Sequence, residues 1–321
     1  MDLDISDLRE YIENFHDSED EDFLLAYSTL ARELPFDALA CTSNISAIYT
    51  DVAGSLVLSR LFTSFANYVP DVHRFRDLLA KTRSVVAGEF ALHFILSQGA
   101  AQPGWTPDAL DIFCQTPHVP YIVSFFIGDC GYTLDPNNSD FVNSIALPVL
   151  HPATDTVFCV IHVSSHAKVR IHCTSFPASE HPIPSTWGTH LMNFISVFDV
   201  VSAYPTLTLL CCIVLSANVT AAGIEDEVAV FDGWGFTVVP FNLLEDVHSD
   251  PVGLSPHCPY SHCAFDDAAC ARVRISTGDD KYQFDNFWSV VPEWIVGGAS
   301  DTCGGGCGKS GVHEVYVVCR S

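Results

Sequence analysis

The stretch SVVAGEFALHFILSQGAAQPGWTPDALDIF, residues 84 to 113, constrains the fold more than any other part of the chain. RSVVAG is β-branched and ends in glycine, which predicts a strand running into a tight turn. EFALHFILSQ carries apolar residues at helical spacing, GAAQPGWTPD has loop chemistry, and LDIFCQ returns to strand composition. Helices and strands keep alternating from Arg74 onward. HRFRDLLAKT and VPYIVSFFIGDCGY read as helices, and TVFCVIHVS and AKVRIHCTSF as two strands joined by a hairpin at SHA. THLMNFISVFDVVSAYP reads as a helix ended before Pro205, TLTLLCCIVL as a buried strand and EVYVVC as a last strand. This order predicts an α/β (α+β) fold with a mixed sheet flanked by helices.

Residues 1–74 form a helical N-terminal region on the same grounds, with apolar periodicity in DLREYIENF, DFLLAYSTLARELPF and VLSRLFTSFANYV. The acids Asp17, Glu19, Asp20, Glu21 and Asp22 suit a solvated helix start, where negative charge complements the macrodipole. Residues 75–215 make the α/β domain. Residues 216–321, rich in Cys and Gly, make an irregular extension packed on the sheet.

Lys+Arg 14 against Asp+Glu 39 gives a formal charge of -25, which repels nucleic-acid phosphates and anionic membrane faces. A protein partner is therefore expected rather than nucleic acid or a membrane. The acidic start MDLDISDLREYIENFHDSEDEDF reads as neither a signal nor a transit peptide, and the apolar run LLCCIVL is too short to span a bilayer. An intracellular protein, cytoplasmic or nuclear, is expected. Its 13 cysteines would be mostly reduced core residues.

Several chemical motifs are incomplete. CGGGCGKSG, residues 303 to 311, has Cys303 where a P-loop needs its first glycine, and GVHEVYVVC behind it reads as a strand instead of a helix. Cys258, Cys263, Cys270, Cys303 and Cys307, with His257 and His262 nearby, are soft ligands for structural zinc. Only Cys303 and Cys307 have knuckle-like spacing, and Cys258 and Cys263 are at its loose edge, so buried or exposed free thiols explain the group better. No G-x-S-x-G elbow is present, and the 14 histidines form no singular pair with the cysteines.

The strand, glycine turn, helix and acid-bearing strand at residues 84–113 resemble the site of nucleotidyltransferase-fold proteins, and the likeness extends over residues 75–215. More narrowly, Ala87-Gly88-Glu89, Trp105-Thr106-Pro107, Ala109-Leu110-Asp111-Ile112, Met192-Asn193-Phe194 and Tyr204-Pro205 resemble, in order, the motifs of a family from mushroom-forming (basidiomycete) fungi. That family is nucleotidyltransferase-like with a degenerate catalytic motif. The resemblance implies a Mg²⁺ or Mn²⁺ nucleotide site at Gly88, Asp111 and a second and third acid, for in-line attack on an α-phosphate.

The residues depart from that pattern. Asp111 shares a strand face with Ala109, and Asp108 would face the other way. Glu89 puts a carboxylate where a small hydroxyl would meet phosphates, or else is a favourable acid in a first helical turn. The strand KVRIHCT, expected to carry the third acid, reads Arg170, Ile171, His172, Cys173; His172 is a candidate for a softer metal. Three readings stay open: a non-catalytic binding or scaffold protein, a metal-dependent nucleotidyl or phosphoryl transferase using Asp108, Asp111 and Glu89, and a zinc-stabilised interaction module. ELPFDALACTSNISAIYTDVAGSLV also resembles an F-box-like adaptor helix set, although ordinary packing helices account for the same pattern.

Overall fold

The computed structural model describes residues 27–43, 47–98, 103–135, 154–176, 182–216, 224–239, 263–265, 270–275, 292–294 and 318–319. The acidic cluster at 17–22, the glycine-rich stretch at 303–311, and Cys258, Cys303 and Cys307 lie outside these residues. The architecture is mixed α/β. Helices α1 (Phe36–Ser43), α2 (Ala47–Phe65) and α3 (Val72–Thr82) precede β1 (Val85–Ala87), α4 (Gly88–Leu96), β2 (Ala109–Gln115), α5 (Val119–Asp129) and β3 (Tyr132–Leu134). Then come β4 (Thr156–His162), β5 (Lys168–Thr174), β6 (Asn193–Ile195), β7 (Asp199–Ser202), α6 (Pro205–Leu209), β8 (Cys212–Ile213), α7 (Glu225–Gly233) and β9 (Thr237–Val238). The remaining strands are β10 (Cys263–Ala264), β11 (Ala271–Arg274), β12 (Pro292–Trp294) and β13 (Val318–Cys319).

The main sheet has 8 strands in the order β11-β7-β6-β1-β2-β5-β4-β3. Its pairings are antiparallel except between β2 and β5, which run parallel near the centre. Alternation along β1, β2 and β5 sends Val86, Leu110, Ile112, Cys114, Val169, Ile171 and Cys173 into the larger core, which they share with α1 to α5. Val85, Ala87 and Phe113 face the other side, with Phe194, Val201 and Phe265. Burial on both faces explains the nearly unbroken apolar runs of these strands.

Phe65 at the end of α2 ties the helical layer to the rest. Its ring stacks on Phe90 of α4 at 5.3 Å and meets Phe75 of α3 edge-on at 5.1 Å, and Phe75 continues the contact to Phe126 of α5. The α3 helix starts where Asp71 accepts the Arg74 N–H at 3.0 Å. On the same helix, Arg76 donates to the Val197 carbonyl at 3.0 Å, fixing α3 to the turn between β6 and β7.

Three expectations require correction. THLMNFISVFDVVSAYP is not a helix but a 3₁₀ turn at Thr189–Leu191 followed by the β6–β7 hairpin. Leu191, Phe194, Ile195 and Phe198 mimic helical spacing, yet Ser196 closes a tight turn: its Oγ accepts the N–H groups of Phe198 and Asp199 at 3.0 and 2.9 Å. The β-branched Ile195, Val197, Val200 and Val201 favour strands once that turn forms. TLTLLCCIVL is not one strand either. Pro205 opens helix α6, where its missing N–H does no harm, and Cys211 turns the chain at φ 53 before the two-residue β8. The helix expected across VPYIVSFFIGDCGY stops at Asp129, and Tyr132 already belongs to β3. Among the described residues no helix is long and apolar enough to cross a membrane.

Phe65→Ala is expected to cost about 3–5 kcal/mol of stability in urea unfolding, because it empties a fully buried aromatic site shared by three helices. A loss below about 1 kcal/mol would mean that the helical layer does not share the cooperative core.

Candidate functional site

The predicted turn and strand meet as neighbours. β1 and β2 pair so that Ala87 lies opposite Asp111, and Gly88 begins α4 at φ 64. That dihedral suits glycine, and so does the space: a Cβ on Gly88 would stand 2.7 Å from Asp111 Oδ2. The glycine is thus required by the carboxylate beneath it. β2 and β5 are in parallel register with Asp111 opposite Arg170 and Phe113 opposite His172. All four side chains lie on the sheet face away from the larger core.

Asp111 is 2 % exposed, and both of its oxygens are engaged. Arg170 Nε donates to Oδ1 at 2.7 Å and Nη2 to Oδ2 at 2.8 Å, a bidentate pair. His172 Nε2 lies 2.7 Å from Oδ1; an ionised carboxylate only accepts, so the histidine donates. The His172 ring stacks on Phe113 with centroids 4.4 Å apart. Burial by itself would raise the Asp111 pKa, but the Arg170 charge, the His172 hydrogen bond and charge, and the Arg170 hydrogen bond hold it well below the usual carboxylate range. Burial pulls the Arg170 pKa down, and the Asp111 charge and hydrogen bond more than reverse this.

The other carboxylates are also occupied. Asp108 lies just outside β2, its side chain 60 % exposed, and pairs with Lys168 at 3.0 Å. Glu89 Oε2 accepts the Asp108 N–H at 3.1 Å, and Oε1 stands 3.8 Å from Arg170 Nη2. Burial raises the Glu89 pKa, opposed by the Arg170 charge and reinforced by that of Asp111. Glu89 therefore does more than complement the helix start: it links the loop before β2 to the Arg170 side.

Residues that sequence reasoning did not place also surround the site. The sequence marks Arg170 only as a non-acid on KVRIHCT, and Lys168 not at all. Tyr68, half-buried between α2 and α3, has its pKa pushed up to about 12 by burial and by the charges of Asp111, Glu89 and Asp108. An arginine centred on KVRIHCT, beside a strand that carries Asp111 among apolar residues, is the signal the sequence offers for the pair; nothing local marks Tyr68.

These residues do not fit a pair of divalent cations. Such a site needs carboxylate oxygens free to converge on the metal, whereas Asp111 is closed by a guanidinium and an imidazole and Asp108 by an ammonium. A guanidinium also stands where the third acid would be. Among the described residues no group of three or more His, Cys, Asp or Glu is arranged for a metal. Of the zinc candidates, Cys270 is buried and its thiol donates to the Ala203 carbonyl at 3.7 Å, and Cys263 lies in β10.

Asp111→Ala should destabilise the protein by about 3–5 kcal/mol, because it leaves Arg170 charged and poorly solvated. A double Asp111→Leu, Arg170→Met variant should lose much less than the sum of the two single changes in chemical denaturation. The folded-state pKa of Asp111 lies below its unfolded value, so its stabilisation is complete above about pH 4 and is lost as pH falls toward the folded pKa. Asp111→Asn should remove that part of the acid slope.

Compared with known proteins, the chain matches no family model, no curated protein and no solved structure.

Proposed function

We propose that the chain is a non-catalytic binding or scaffold protein built on a nucleotidyltransferase-like fold, in which an internal salt bridge stands where metal-dependent chemistry would occur. The observation that carries this is the closed Asp111 carboxylate, held bidentately by Arg170 and capped by His172. The order of glycine turn, helix, acid-bearing strand and neighbouring parallel strand supports the likeness to that fold. Phosphoryl transfer through two metal ions needs at least two acids converging on them, and here each candidate carboxylate already has a nitrogen partner. A net charge of -25 disfavours nucleic acid and favours a protein partner.

Calorimetric titration with ATP, GTP, CTP and UTP, each with Mg²⁺ or Mn²⁺, is expected to show no metal-dependent binding at millimolar nucleotide. Metal-dependent binding that disappears in Asp111→Ala would overturn the reading and point to a working transferase. Reversing the guanidinium gives a complementary test. Arg170→Glu places two acids in cross-strand register and should raise Mn²⁺ affinity by roughly tenfold or more, read by the relaxation of water protons.

A further inference from the structure

A second polar feature lies apart from the Asp111 site, beneath α7. His190 is 0 % exposed, and neither ring nitrogen has a hydrogen-bond partner. Its ring is caged by Phe231 of α7 at 4.3 Å, Trp187 at 4.6 Å and Phe236 at 5.6 Å. The Trp187 indole nitrogen in the same cage is also unpartnered. The cage belongs to a small cluster of Leu92, Trp187, Leu191, Ile213, Ile224, Phe231 and Phe236, separate from both cores of the main sheet. β9 follows α7 and pairs in parallel with β8, with Thr237 N–H donating to Cys211 O and Val239 N–H to Ile213 O.

The same unit touches the loop that carries Asp108. Trp234, at the end of α7, stacks on Trp105 with rings 4.1 Å apart and nearly parallel. Trp105 also meets His93 of α4 edge-on at 5.0 Å. A unit with its own small core can open without breaking the larger ones.

We propose that α7 and β9 form an acid-released flap, held shut over the caged, neutral His190, whose opening frees Trp105 and the loop before β2. A proton on His190 would place an imidazolium among aromatic rings with no acceptor and no counter-ion. The titratable groups on the surrounding elements offer none. On α4, Glu89 is engaged with the Asp108 N–H and Arg170, and His93 lies against Ser97 and Trp105. On α7, Glu225, Asp226 and Asp232 are exposed and Glu227 is half-exposed; Cys211 and Cys212 precede and begin β8. None of them bonds to the ring. Attraction of a cation to the ring faces is smaller than the cost of leaving a buried charge unpaired, so release wins.

Burial alone accounts for a His190 pKa pushed down to about 3 from its ordinary 6.5. Because the folded value is the lower one, the contribution of His190 to closure is complete above the ordinary pKa and fades as pH falls toward the folded value. Between pH 7 and pH 5 the flap's opening constant should rise about 25-fold.

Hydrogen exchange of the full chain tests this, with rates expressed relative to intrinsic exchange at each pH. Peptides covering residues 224–239 and 103–108 should open about 25-fold more at pH 5 than at pH 7, while peptides from β2 and β5 stay unchanged. His190→Phe, or His190→Gln should the larger ring disturb the cage, should abolish the pH response, and His93→Gln should keep it. A wild-type response that is absent, shared by β2 and β5, retained without His190, or lost with His93 would overturn the proposal.

Discussion

The parallel contact between β2 and β5 sets the terms for everything around it. Once Asp111 is turned inward and kept ionised, it needs a cation beside it, and the register that places Arg170 directly opposite supplies one. The same carboxylate excludes any side chain at Gly88, so the start of α4 is dictated by a residue more than twenty positions downstream. His172 is then held on two sides, by Asp111 and by the Phe113 ring. Turn, strand register and ring orientation are consequences of one buried negative charge.

Such a pair is a poor source of net stability, since desolvating two ions offsets much of their attraction. Its effect is on choice among arrangements. Sliding β5 by one residue would send Arg170 and His172 into the larger apolar core and leave Asp111 facing Val169 or Ile171, stranding charges on both faces. Asp199 makes a similar arrangement at the other side of the sheet, where Arg272 of β11 reaches its Oδ2 at 2.8 Å. Each pairing thus discriminates between registers that apolar residues buried on both faces would leave nearly equivalent.

The parts of the fold readable from sequence are those with local causes. Strand, glycine turn, helix and strand across residues 84–113 follow from β-branching, glycine and helical periodicity, and the β4–β5 hairpin from its short polar connection. The β6–β7 hairpin was hidden because Leu191, Phe194, Ile195 and Phe198 satisfy a helical pattern, and only the Ser196 side chain breaks it. At the site, alternation was enough to leave Asp111 without a second acid on its face. The salt bridge depended on which strand lies beside β2 and in what direction, a tertiary fact with no local signature. His190 was equally invisible, since its cage is assembled from segments that include residues some forty positions apart.

The last strand to join the sheet has a consequence for how the chain is made. β7 pairs on one side with β6, its immediate predecessor, but on the other with β11, about seventy residues later. During synthesis the hairpin emerges with its outer row of N–H and C=O groups unpaired, apolar on both faces, for as long as the ribosome takes to deliver residues 271–274. At ~5–20 residues per second this exposure lasts some seconds, far longer than hairpin formation itself. The nascent protein therefore passes through a stage with an open, sticky sheet edge, a natural substrate for holding chaperones and the point at which overproduction would first lead to aggregation.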